Sequence, residues 1–251
     1  MNSGAIRRDS AGGGAVDEGA PSRWPGVAGP LLALAAMGYA HLVAADSVSP
    51  LDGLISDYAL LGEGAWAMVA GTTALAAGCL WVAYLLARVE PVRGAASRAL
   101  FVAAALGLLL TAAFPTDAAP GVVSIAGEIH RWSAAVVFTA LPCAGWMLGR
   151  RTGNGPLAAV SVLSVVFLAW FLAAHPGSFV SDLIDGAGHY GLVQRLLVVS
   201  EAALILLAAL WPGRPARGSA AKARGVTIPV QPGPDGARRP HQQIGLGRGP
   251  G

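Results

Sequence analysis

Six runs of apolar residues, at 26–45, 65–87, 99–114, 132–149, 156–174 and 192–211, alternate along the chain with short polar connections. About 20 helical residues, rising ~1.5 Å each, cover a hydrocarbon core of about 30 Å, so every run can cross a bilayer. The third is the shortest. A membrane interior offers the backbone no hydrogen bonds, which makes such runs helical. The pattern therefore predicts an all-α polytopic membrane protein: a bundle of six transmembrane helices with short loops, occupying residues 25–211. The Gly/Ser/Ala-rich segment 1–24 and the basic Pro/Gly-rich segment 212–251 have too few large apolar residues to offset chain entropy and are expected to be disordered tails.

Local features refine this picture. The first run ends in Leu42-Val43-Ala44-Ala45-Asp46, which has the form of a signal-peptidase site, but about 25 mostly polar residues precede it and five further runs follow. A retained first helix is expected. Ala70, Ala74 and Gly78 repeat every four positions along the second run, a small-residue stripe that predicts a close helix contact. Trp24, Trp66, Trp81, Trp132 and Trp211 sit at or near run ends, as interfacial anchors do.

Composition agrees. Hydrophobic residues make up 54% of the 251 and charged residues 12%, about half the usual share in a water-soluble domain. The net charge of +3 does not indicate a nucleic-acid partner, because the basic residues are scattered between apolar runs and in the C-terminal segment. Lys222 is the one Lys among 17 basic residues, a codon bias expected of a high-GC bacterium. Cys79 and Cys143 both fall inside apolar runs and form no disulfide or zinc-finger spacing.

Basic residues also orient the chain. Arg88, Arg93 and Arg98 lie between runs two and three, Arg150 and Arg151 between four and five, and seven Lys/Arg follow run six. The connection from Asp46 to Gly64 holds four acids and no base, and the other two connections on that side carry one Arg each, Arg131 and Arg195. The positive-inside rule then places both termini in the cytoplasm, in a multi-pass protein of the cell membrane.

The same alternation gathers polar chemistry on the outer side. Asp46, Asp52, Asp57, Glu63, Asp117, Glu128, Asp182 and Asp185 fall there with His41, His130, His175 and His189. A layer of acids and imidazoles above an apolar core can hold a metal, exchange protons or bind a headgroup. Ser56-Asp57-Tyr58 follow Pro50 and Gly53 in an ordered loop or short interfacial helix, where Asp57 either turns inward toward a cation or donor or caps the helix. Asp117 leaves run three and His130 enters run four, so the two can face each other, with a carboxylate orienting or ion-pairing His130. Gln194 and Arg195 open run six, where Arg195 is either an interfacial anchor or a partner for phosphate or for an acid such as Asp57 or Asp117. Glu201 lies deep in run six and is expected to face the bundle interior, neutral or hydrogen-bonded to Thr72 or Thr73.

Four outer motifs carry a family resemblance. Ser56-Asp57-Tyr58-Ala59-Leu60, Phe114-Pro115-Thr116-Asp117, Gly127 with Ile129-His130, and Gly191-Leu192-Val193-Gln194-Arg195 look like the signature of the bacterial domain of unknown function 998 family, over residues 26–211. The resemblance implies a six-helix membrane protein and no particular reaction. It places Asp57, Asp117, His130 and Arg195 on motif positions, and leaves Glu201 and His189 unmatched.

Three functional classes follow from these residues. The first is a non-enzymatic membrane module that binds a lipid headgroup, small ligand or partner through Asp57, Asp117, His130, Arg195, Ser56, Tyr58, Glu128 and Gln194. The second is a metal-dependent hydrolase at the outer leaflet, with a zinc-like ion held by His41, His130, His189, Asp57 or Asp117. The third is a proton- or ion-coupled transporter built on Glu201, although the chain shows no convincing internal repeat. Haem ligation is disfavoured because the four histidines lie on one side. Whether the protein is an enzyme, and its oligomeric state, do not follow from the sequence.

Overall fold

A computed structural model describes residues 22–117 and 122–211, which lie within one compact unit. The expected tails lie outside the described residues, except that the N-terminal one stops short: Trp24 already belongs to the first helix.

Among the described residues the chain forms six long helices and no strand: α1 (Trp24–Val43), α2 (Gly62–Val89), α3 (Ala95–Ala113), α4 (Ile125–Thr152), α5 (Gly155–Ala174) and α6 (Tyr190–Leu210). All six are long and apolar enough to cross a membrane, with mean hydropathy from 1.4 to 2.5. Short 3₁₀ helices at Ile55–Leu60, Asp182–Ile184 and Gly186–His189 fill two of the connections. The α1–α2, α3–α4 and α5–α6 connections lie at one end of the bundle, termed distal here, and the other connections at the proximal end.

Local sequence sets the helix ends. Pro25 sits in the first turn of α1, where its missing N–H costs nothing. Gly153 closes α4 with φ +72°, a left-handed conformation that glycine adopts without a Cβ penalty. Asn154 then caps α5 by accepting from Leu157 N at 3.1 Å. Several helices outrun their apolar cores. α4 has 28 residues and begins at Ile125, because the Ser124 side chain accepts from Gly127 N and starts the helix well before residue 132. Glu128, His130 and Arg131 therefore stand on its first two turns rather than in a loop.

Neighbours in sequence pack side by side, and α6 also meets α1, α2 and α4. α6 is the most enclosed helix, with 56% of its apolar window buried, whereas α5 has 22% buried and presents Val162, Leu163, Val165, Val166 and Leu172 outward. The small-residue contact expected on α2 is present, shifted at its distal end. A Cβ on Gly29 of α1 would come within 2.5 Å of Ala74 O and 2.9 Å of Gly78 Cα. One turn or more farther along, Gly71 rather than the exposed Ala70 meets Ala36. Backbones this close gain dispersion contact that bulkier side chains would prevent.

Candidate functional site

The distal end contains three sets of side chains, each fastening one connection. The largest joins the α1–α2 loop to the start of α6. Arg195 donates from Nη1 to Gly53 O at 2.6 Å and Gly191 O at 3.0 Å, and from Nη2 to the Tyr58 phenol oxygen at 2.8 Å. Its guanidinium also lies 5.6 Å from the Tyr58 ring centroid. Tyr58 is fully buried, and its oxygen is 2.8 Å from His41 Nδ1 on α1. Gln194 Oε1 accepts from Ile55 N at 2.6 Å, and Leu192 N donates to Leu51 O at 2.8 Å. Two residues and one backbone amide of α6 thus seize a loop about 140 positions earlier in the chain.

Asp57 serves this loop internally. Its Oδ2 accepts from Leu54 N at 2.8 Å, capping the 3₁₀ helix that contains Ser56 and Tyr58. The N-cap expected at Ser56 or Asp57 falls instead on Leu54, and Asp57, at the third position of the helix, bonds back to the Leu54 amide. Nearby, a hydrogen bond from Ser49 holds the exposed Asp52 carboxyl below the usual carboxylate range. Arg195 meets carbonyls and a phenol, and among the described residues no carboxylate forms an ion pair with it. The expected pairing of Arg195 with Asp57 or Asp117 is not seen, because the loop backbone reaches the guanidinium first.

The second set closes the α3–α4 connection. Asp117 Oδ1 accepts from Ser124 N at 3.1 Å and Ser124 Oγ at 2.5 Å. Its carboxyl lies against the first turn of α4, where a Cβ on Gly127 would sit 2.1 Å from Oδ2. A carboxylate there meets the positive end of the helix dipole. Arg131 Nη1 is 3.5 Å from Asp117 Oδ2, and Arg131 also pairs with Glu128 one turn back. His130 turns to Phe114 O, 2.9 Å from Nδ1. Neither Asp117 nor Glu128 orients His130. The backbone carbonyl that ends α3 takes that place, and Arg131 takes both acids.

The third set binds the α5–α6 connection. Trp170 Nε1 donates to His189 Nε2 at 3.0 Å, and Tyr190 stacks on Phe171 at 4.6 Å. Ser181 donates to Ala174 O at 3.1 Å.

Among the described residues no three of His, Cys, Asp and Glu come together as a metal site. The five ligand candidates are dispersed: His41 with Tyr58, Asp57 with Leu54, His130 with Phe114, Asp117 with Ser124, and His189 with Trp170. The zinc-like ion has no assembled donor set here. Asp57 and Arg195 belong to one set and Asp117 and His130 to another, and no hydrogen bond or ion pair among the described residues links the two.

Sequence reasoning missed Ser124, Gly53 and Trp170. Ser124 was findable as a helix N-cap four residues before Glu128. Gly53 contributes a carbonyl, which no side-chain pattern reveals, and Trp170 lies unmarked in an apolar run.

Beside the second set is an open depression of about 430 Å³, whose lining includes Val123, Ser124, Ile125, Glu128, Ile129 and Trp132. A smaller cavity of about 50 Å³ lies between α1, α2 and α6 beneath Ile55. Glu201 is 2% exposed and its Oε1 has no hydrogen-bond partner. Among the described residues, neither Thr72 nor Thr73 bonds to it.

The motif residues thus fasten two of the three distal loops of a six-helix bundle, those between α1 and α2 and between α3 and α4. No curated protein and no solved structure matches the chain. A family model described as a protein of unknown function, DUF998, matches residues 27–211, three quarters of the chain and the whole of the bundle beyond its first turn. The chain belongs to the DUF998 family.

Proposed function

We propose that this protein is a non-enzymatic module of the bacterial cytoplasmic membrane, with both termini in the cytoplasm, that binds a zwitterionic phospholipid at the outer mouth of α3 and α4. The observation that carries this reading is the depression beside Glu128. Val123, Ile125 and Trp132 are among the most exposed apolar residues and form a wall suited to an acyl chain or glycerol backbone. Glu128 lines the same depression, and Arg131 stands next to it with half of its side chain exposed. Glu128 and Arg131 form an exposed ion pair on one helix, and a headgroup with an ammonium and a phosphate can exchange its own charges into that pair. Trp132, two turns into α4, suits the interfacial depth that such a headgroup occupies.

The state of the motif residues supports binding over turnover. Arg195, Gln194, Asp57 and Asp117 are engaged by intrachain partners, which leaves no free nucleophile and base within reach of each other in the three sets. The excess of Arg on the proximal connections supports the orientation.

Native mass spectrometry of the full chain, released from detergent with phosphatidylethanolamine or phosphatidylglycerol, tests the reading. The wild type should retain the ethanolamine lipid preferentially, and Arg131→Ala combined with Glu128→Gln should abolish that preference. Equal retention by wild type and variant overturns it. Reporter fusions should place both tails inside the cell, and both tails outside would move the depression to the inner leaflet.

A further inference from the structure

Glu201 is not used by the lipid reading, yet it is the most expensive residue in the bundle. It lies in the central helix among Leu197, Leu204 and Ile205, 2% exposed, with Oε1 unpartnered. An acid inside a span is costly and is kept where it faces the bundle interior for a function or a partner. A structural role would need hydrogen bonds, and the polar neighbour on α6, Ser200, donates its proton to Leu197 O at 2.7 Å while its oxygen meets the Ser164 hydroxyl at 2.7 Å.

The 50 Å³ cavity lies just distal to this acid. Val198, one turn from Glu201 along α6, lines it, as does Leu75, one turn from the buried Cys79 along α2. Three residues of helix advance about 4.5 Å, so the cavity and the carboxyl are next to each other along the bundle axis. A Cβ on Gly78 of α2 would lie 3.4 Å from Ile205, one turn beyond Glu201 along α6, so this face of α6 turns toward α2. Thr72 supplies the one hydroxyl among the lining side chains. The volume has room for one or two waters. Ile55 forms part of the wall, and its amide is held by Gln194. Tyr58, Arg195 and His41 follow beyond it as a continuous hydrogen-bonded chain that leads to the distal face. On α6 the residues that face this path recur at 191, 194, 198 and 201, one helical stripe.

We propose that Glu201 is an intramembrane proton site, loaded from the distal face through water in the cavity beneath Ile55. The carboxyl gives its proton to cavity water as it receives another, so no net charge is created in the core. Tyr58 and Ile55 form the cap that restricts entry. The site is independent of the lipid-binding depression on α4.

Infrared spectroscopy of the full-length protein in lipid nanodiscs tests the proposal. The wild type should show a protonated-carboxyl carbonyl band that is missing from the isosteric Glu201→Gln and that moves on transfer to D₂O. Thr72→Val should slow that shift by about tenfold, the size of one lost hydrogen bond, and Ile55→Ala should accelerate it. Identical spectra for wild type and Glu201→Gln would overturn the site. A band that stays put in D₂O would overturn the exchange, and a rate indifferent to both cavity variants would overturn the route.

Discussion

Arg195 and Tyr58, 137 positions apart in the chain, are joined by a 2.8 Å hydrogen bond, and Arg195 gives two further donors, both on Nη1, to Gly53 O and Gly191 O. One guanidinium thus ties the α1–α2 loop to α6. Lysine has a single point of charge and cannot hold three acceptors in a fork. Arg195→Lys is therefore expected to destabilise the bundle by about 2–4 kcal/mol, the value of one or two lost charge-assisted bonds. Chemical unfolding in bicelles, read by maleimide labelling of the buried Cys79 in a Cys143→Ala background, measures this.

Tyr58→Phe is a finer probe of the same fastening. It keeps the buried ring and strips the oxygen shared by Arg195 and His41. Two polar groups lose a partner, so a cost of about 1–3 kcal/mol is expected. In the Arg195→Lys background the same change should cost much less, because the shared bond is already weakened. Full additivity in a double-mutant cycle would show that the two side chains do not cooperate.

Gly191→Ala should be more damaging than its size suggests. The added Cβ would sit 2.0 Å from Gly53 O, a backbone atom that cannot swing aside. The Leu192–Leu51 and Arg195–Gly53 bonds would have to part. Limited proteolysis at the distal face should cut the 46–61 segment in this variant and spare the wild type.

Gly127→Ala acts on the second set through a side chain. Its Cβ would overlap the Asp117 carboxyl, which must then leave the start of α4. A loss of about 1–2 kcal/mol is expected, the worth of a cap with its dipole interaction. Adding Gly127→Ala to Asp117→Ala should cost almost nothing further, which thermal unfolding of the single and double variants decides.

Gly29→Ala tests the α1–α2 crossing. Its Cβ would press on Ala74 O and Gly78 Cα, so the helices must separate, at about 1–3 kcal/mol. Gly38→Ala on the same helix, where a Cβ meets nothing within 4 Å, should be neutral or slightly stabilising.

Six helices and their alternating connections were legible in the chain because the bilayer imposes a length, an apolar composition and full backbone hydrogen bonding on every span. Charge placement marked the distal end as the polar one for the same reason. Partnerships were not legible. Asp57, Asp117, His130 and Arg195 were chosen as a single layer, yet they divide between two fastenings on different helices, since helix order around the bundle leaves no trace in local pattern. For Arg195 the sequence leaves an interfacial anchor, a phosphate or an acid as alternatives, and the structure gives it two carbonyls and a phenol, because backbone oxygens are acceptors at every position and any side chain's neighbour depends on how far the loop folds back. The reach of Ile55 and Tyr58 over the small cavity, and the closeness of that cavity to Glu201, likewise arise from the packing of α1, α2 and α6. Hydrophobicity is a property of each segment alone, whereas a hydrogen bond between residues 58 and 195 exists only once both segments have been brought together.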